Sequence, residues 1–222
     1  MARHLQRQID ALKQKILLLG TLVEEAIAKA VSALVNRDRN LARAVIEEDA
    51  EIDRMEVDVE EEVLKVLALY QPVAIDLRFV VAVLKINSDL ERMGDLAKNI
   101  AKRVLFLTSC ERVDLPSDFR NMATRAQWMV KNSLDALVNA DTALAYRIRE
   151  ADDEVDALRR GINDTIEKQI ALHPEQAEAL LRLTSVSRHL ERLADMACNV
   201  AEDVIYMVEG EIVRHHRTSE TL

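Results

Sequence analysis

Aromatic side chains make up only 3% of this 222-residue chain, and glycine and proline number just four and three. So few aromatics leave no stacking platform for single-stranded nucleic acid. So few breakers, with β-branched runs scarce, suit long helices, and no segment reads as a strand. Positive charge is short as well. Thirty Lys and Arg against 39 Asp and Glu give a net charge of −9, the wrong sign for a phosphate backbone. Cys110 and Cys198 lie far apart and form no metal-type pair, so free thiols in a reducing cytosol are expected. The longest apolar stretch, ILLLGTLV at 16–23, is too short to cross a bilayer. The N-terminal MARHLQRQIDALKQK carries no apolar signal core with a small-residue cleavage site. The expected location is the cytoplasm, with any membrane association made through a partner. No glycine-rich phosphate loop, nucleophile elbow or Cys-His pair occurs. None of the five histidines (His4, His173, His189, His215, His216) follows a Glu by three, which excludes the Glu-x-x-His pair of di-iron bundles.

What the chain does have is a repeat. Residues 90–101 read LERMGDLAKNIA and residues 190–201 read LERLADMACNVA, identical at seven of twelve positions. Upstream, ALVNRDRNLARAVIEEDAEID at 33–53 matches ALVNADTALAYRIREADDEVD at 136–156. The offsets are 100 and 103, so the copies differ by three residues in a loop. Two copies of one unit of about 110 residues follow, with domains placed at 1–112 and 113–222.

Helical periodicity runs through 3–36, 40–69, 73–108, 117–139, 142–171 and 175–213. At 1.5 Å per residue, a 30-residue helix spans about 45 Å. Asp38 and Asp141 occupy matching N-cap positions, and Ser117 is placed as a third cap. The third segment carries Phe79, Val83, Ile86, Leu90, Met93, Ala97, Ile100, Val104 and Leu107 at alternating spacings of four and three; the sixth repeats the pattern from Ala179 to Met207. Such a seam calls for shallow, coiled-coil-like packing. The predicted fold is all-α: two tandem three-helix bundles related by pseudo-twofold symmetry. Trp128 and Phe119 fall on core positions of the fourth segment. His189, which faces Asp89 in the first copy, reads as surface, and His215 and His216 as a tail.

The chemistry-bearing residues are carboxylates. Glu91, Asp95 and Asn99 stand at i, i+4 and i+8, an oxygen-rich stripe repeated by Glu191, Asp195 and Asn199. Asp49 and Asp53 form a second acidic pair on the preceding helix, repeated by Asp152 and Asp156. Facing pairs would offer hard oxygen donors to Mg²⁺, Mn²⁺ or ferric iron. The opposing reading is a solvated face, because acidic pairs at this spacing are common and Glu47/Glu51 recurs as Glu150/Glu154. Against that reading, like charges at i, i+4 cost about 0.2–0.5 kcal/mol in a helix. Glu56 and Glu60, by contrast, are replaced by Arg159 and Asn163. Spacing alone leaves the two readings even. Arg92 and Arg192 follow the glutamates and point about 100° round the helix, towards neighbouring acids, a partner or an anion.

The run Gln71-Pro72-Val73-Ala74, then Asp76-Leu77-Arg78, followed by LERxxDxAxN in both halves, resembles the PhoU family of bacterial phosphate-transport accessory proteins. The similarity extends over nearly the whole chain. It implies two three-helix bundles assembled as a homodimer, and a cytoplasmic regulator with no catalytic role, peripheral to the inner membrane. It further implies an adaptor between the ATPase of a phosphate ABC transporter and a membrane sensor histidine kinase, repressing the phosphate regulon when phosphate is plentiful. A multinuclear metal cluster, of iron or of Mn, Mg or Zn, is implied on Asp49, Asp53, Glu91, Asp95 and Asn99, and again on Asp152, Asp156, Glu191, Asp195 and Asn199. Partner contact is expected through Arg78, Arg92 and Arg192. The Pro72–Arg78 run lacks a full second copy, so the two bundles are expected to differ in what they contact. The alternatives are a metal-dependent enzyme using the carboxylates, for which no dedicated base is visible, and a purely structural helical scaffold.

Overall fold

The computed structural model describes residues 2–213. His215 and His216, placed in a tail by the sequence, lie outside the described residues. Six long helices form: α1 Ala2–Asn36, α2 Arg39–Tyr70, α3 Ala74–Leu107, α4 Asp118–Asn139, α5 Thr142–Leu172 and α6 Ala177–Glu209. A 3-10 turn, Pro174–Gln176, precedes α6. The helices α1, α2 and α3 pack on one another, as do α4, α5 and α6. The two bundles join through α3 against α6 and, less extensively, α1 against α4.

Local chemistry explains most boundaries. Asp38 Oδ1 accepts from the backbone N–H groups of Asn40 and Leu41 at 2.9 Å, and Asp141 Oδ1 accepts from Leu144 N–H at 2.9 Å. Each satisfies donors that the first turn of a helix leaves orphaned. Ser117 does not cap. It is itself helical (φ −53°, ψ −37°) and its hydroxyl makes no capping bond, while Phe119 N–H donates to the Pro116 carbonyl at 3.1 Å. A residue already in the helical conformation cannot turn its side chain back over the first amides. The sixth helix stops at Glu209, short of the expected 213. Gly210 adopts φ 79° and donates to the Tyr206 carbonyl at 3.0 Å, a left-handed C-terminal cap that glycine takes without steric cost.

Every residue of the predicted seam is buried, from Phe79 to Leu107 in α3 and from Ala179 to Met207 in α6. Phe119 is core, as expected. Trp128 is only half-buried, with the Arg125 guanidinium on its face 4.7 Å from the ring centre. At Gly94 a methyl group would meet Ile52 at 3.1 Å, so α2 approaches α3 more closely there than a larger residue permits.

Helix ends are stapled across the molecule. Arg78 Nε, at the start of α3, donates to the Met207 carbonyl near the end of α6 at 3.1 Å. Reciprocally, Arg182 near the start of α6 stacks on Phe106 at the end of α3, 4.7 Å from the ring centre. The two helices are therefore antiparallel, and the paired contacts express the pseudo-twofold axis. Arg37 in the α1–α2 turn donates to the carbonyls of Leu107 and Cys110 at 2.6 and 3.0 Å, where a cation meets the negative end of the helix dipole. Both cysteines are free thiols.

Asp38→Ala and Asp141→Ala should each lower the unfolding free energy by about 1 kcal/mol in urea titration. Ser117→Ala should leave it unchanged within error.

Candidate functional site: two acidic helix faces

The fold brings the predicted acids of neighbouring helices together. In the first bundle, Glu91 of α3 feels Asp95 one turn on and Asp53 and Glu56 across on α2. In the second, Asp195 of α6 feels Glu191 on its own helix and Asp156 on α5. The facing pairs inferred from spacing are therefore real neighbours. Two cations that spacing did not reveal sit among them.

Lys98 of α3 reaches Asp49 of α2 in a short ion-paired hydrogen bond and stands 3.7 Å from Asp95. Asp49 is buried, Asp53 exposed, and Asp95 about half exposed. The equivalent of Lys98 in the second copy is Cys198, whose thiol donates weakly to the Ile148 carbonyl at 3.8 Å; the cation whose charge acts at that corner is Arg149 of α5. At the other end of its face the second copy has Arg159, the counterpart of Glu56, which pairs with Glu191 in a short charged hydrogen bond. Asp152, Asp156 and Glu191 are half-buried.

The close ion pairs fall at different places in the two copies, and the carboxylates crowd at different ends. In the first bundle the Asp49 end is neutralised. Glu91 is held above its usual range by desolvation and then by Asp95, Asp53 and Glu56, and Glu56 rises by desolvation and by Glu60 and Asp53. In the second bundle the Glu191 end is neutralised. Asp195 is raised by desolvation, Glu191 and Asp156, and burial with Asp152, Asp195 and Glu202 pushes the Cys198 thiol up strongly. Cys198 is thus kept as an inert thiol and not a thiolate.

The remaining predicted residues lie elsewhere. Asn199 lines a groove between α3 and α6, away from the acids. Eight residues turn a helix by about 80° beyond two full turns, which carries the amide off the stripe; Asn99, its counterpart, is half-buried. Arg78 is engaged with the end of α6 and is half-buried. Arg92 is exposed and 3.7 Å from Asp89, and Arg192 is exposed. The sequence placed His189 on the surface, but it is half-buried, with both ring nitrogens shielded and lacking hydrogen-bond partners. Burial, then Arg103, Arg192 and Arg188, press its pKa down to about 4, so the ring is neutral at pH 7.

As a coordination shell these residues do not close. Among the described residues no three His, Cys, Asp or Glu side chains converge on one point, and Lys98 and Arg159 hold Asp49 and Glu191.

The arrangement defines a class: tandem three-helix-bundle proteins with an acidic face repeated in each bundle. The PhoU domain matches residues 16–104 and again 119–204. A phosphate-specific transport system accessory protein PhoU homolog of Aquifex aeolicus is 39% identical over 214 residues, covering 96% of this chain and 97% of its own. The homolog of Pseudomonas aeruginosa is 35% identical, covering 97% and 91%. The crystal structure of PhoU from Pseudomonas aeruginosa superposes with a TM-score of 0.88 at 33% identity, covering 93% of this chain and 99% of that one. That of the phosphate transport system regulatory protein PhoU from Streptococcus pneumoniae gives 0.86 at 31% identity, covering 94% and 99%. The chain belongs to the PhoU family.

Because Glu91 is raised above its ordinary 4.5, the folded chain holds that proton to higher pH than the unfolded chain. The stability it contributes is fully present below pH 4.5 and is lost as pH rises through the raised value. Glu91→Gln should therefore be more stable than the parent at pH 7 and equal to it at pH 4, in urea titrations with chelator present. An equal gain at both pH values would place the effect outside this carboxylate.

Proposed function

We propose that this chain is a non-catalytic regulator of phosphate uptake. It docks on the ATPase subunit of a phosphate transporter and on a membrane sensor kinase, assembles as a homodimer in the cytoplasm, and holds the kinase in its repressing mode when phosphate is plentiful. The observation that carries this reading is relatedness over almost the full chain to proteins named phosphate-specific transport system accessory protein.

The surface supports a docking role. At the α2–α3 corner Leu69, Val73, Ile75 and Leu77 are exposed, Val73 by 72%. The same corner holds Gln71 and Ala74 at φ 46° and 51°, a left-handed conformation that costs a non-glycine residue about 1–2 kcal/mol. Strain of this kind gathers where a surface is shaped for contact. The matching corner of the second bundle uses the 3-10 turn and has no positive-φ residue. The two corners thus present different surfaces, and the first is the one assigned to the partner. Among the described residues no helix is long and apolar enough to cross a membrane, so contact with membrane proteins runs through such surfaces.

Deleting the gene should derepress a phosphate-starvation reporter in phosphate-rich medium, and the intact gene should restore repression. A reporter that stays silent in the deletion strain would sink the adaptor role.

A second reading is favoured by the crowded acids around Glu91 and Asp195: these faces attract a divalent or ferric cation in competition with Lys98 and Arg159. Lys98→Gln with Arg159→Gln should then raise metal content in elemental analysis of gently purified protein. Glu91, Asp95, Glu191 and Asp195 changed together to Ala should abolish it. Unchanged metal content in both would assign the acids to solvation or partner contact.

A further inference from the structure

Where the chain crosses from the first bundle to the second, a cavity of about 320 Å³ opens. All four helices of the junction contribute to it. Leu34 of α1, Val104 and Leu107 of α3 and Leu183 of α6 form an aliphatic floor, and Arg120 comes from α4. The stretch 108–117, which carries the chain from α3 to α4 and holds no helix, supplies the remaining wall. The volume lies at the small end of the range for sites that take small molecules.

Its polar lining is basic. Arg37 of the α1–α2 turn, Arg112 of the linker and Arg120 face one acid, Asp114, among the described lining residues. None of the three arginines forms an ion pair among the described residues, and Arg112 and Arg120 are exposed. Arg37 is held in place. Its Nη2 donates to the Leu107 and Cys110 carbonyls at 2.6 and 3.0 Å, tying the start of the linker to the end of α3. The turn itself does not demand a cation. Ala140 takes the matching place in the second copy at φ 50°, against 53° for Arg37. The guanidinium therefore serves the linker wall and not the turn. Ser117 also lines the cavity and leaves α4 without a side-chain cap, so the positive end of that helix dipole adds to the attraction for an anion.

We propose that this cavity binds a compact organic anion, its apolar body on the aliphatic floor and its phosphate or carboxylate head held by Arg112 and Arg120, with Arg37 positioning the linker wall. Three guanidinium groups and one carboxylate on a single cavity, in a chain of net charge −9, make it a basic exception on an acidic molecule. Planar guanidinium forks match the oxygens of such heads in two-point contacts and also lie flat on aromatic rings. The floor removes apolar surface of the ligand from water, a contribution that a bare oxyanion cannot make. The site uses no metal and neither acidic face. Because its walls come from both bundles, an occupant would touch both at once. The same chemistry, a small apolar body with an anionic head, is offered by a nucleoside monophosphate and by a short acyl carboxylate.

Calorimetric titration of the full chain with adenosine monophosphate and with octanoate, at low salt to limit screening and with chelator so that no cation bridges the anion, distinguishes these sources. At least one should bind saturably near one equivalent per chain, and the one that binds identifies the body. Inorganic phosphate, a head without a body, should bind more weakly by about tenfold or more. Arg112→Gln with Arg120→Gln should weaken binding of the probe by a similar factor, in line with the loss of charge-assisted bonds. Arg43→Gln with Arg147→Gln removes the same charge from exposed positions outside the cavity and should leave binding intact. Circular dichroism of each variant checks that it folds. Three results would each overturn the site: no saturable binding of either probe, phosphate binding as tightly as the probe, or equal binding by the two folded double variants. Any of them would leave the regulatory role, which is read from the reporter strain, untouched.

Discussion

The packing of α3 against α6 is the interaction on which the rest of this molecule depends. Each helix closes its own bundle and also forms the joint between bundles. Their apolar seams are buried along nearly their whole lengths, and removing that much hydrocarbon from water is the main term holding the halves together. The antiparallel arrangement places the start of each helix beside the end of the other. Arg78 and Arg182 can then reach the opposing C-terminal turns. The same geometry leaves a groove between α3 and α6, lined by Lys85, Asp89, Arg92, Asn199, Glu202 and Asp203.

Duplication also supplies an electrostatic comparison inside one chain. The two acid pairs of the first copy recur in the second, but the cations that pair with them do not. Lys98 quenches one end of the first face and Arg159 the other end of the second. Carboxylates crowd around Glu91 in the first face and Asp195 in the second. The two bundles therefore crowd their carboxylates at different ends of otherwise equivalent faces.

Much of this was legible from residues in order. Helix extents followed from 3.6-residue periodicity and sparse breakers, and the two aspartate caps from their place before each run. The acid pairing of α2 with α3 and of α5 with α6 followed from spacing and repetition. Ser117 misled because residue type does not report whether the backbone has already turned helical. Asn199 misled because an i, i+8 spacing drifts round the helix. His189 misled because the charge of Arg103 that acts on it comes from another helix, α3, far away in sequence.

The division has a physical basis. Periodicity, capping and acidic spacing are properties of one helix, set by backbone geometry that each residue's neighbours in sequence determine; from these the chain's own order determined six helices, their duplication and the acid stripes. Whether an acid is neutralised, or a cation left unpaired, depends on which side chain of a different helix lies within a few ångströms, and the rotation of one packed helix against another sets that. Only the tertiary structure decided that Lys98 holds Asp49, that Arg159 holds Glu191 and that the charge of Arg103 acts on His189.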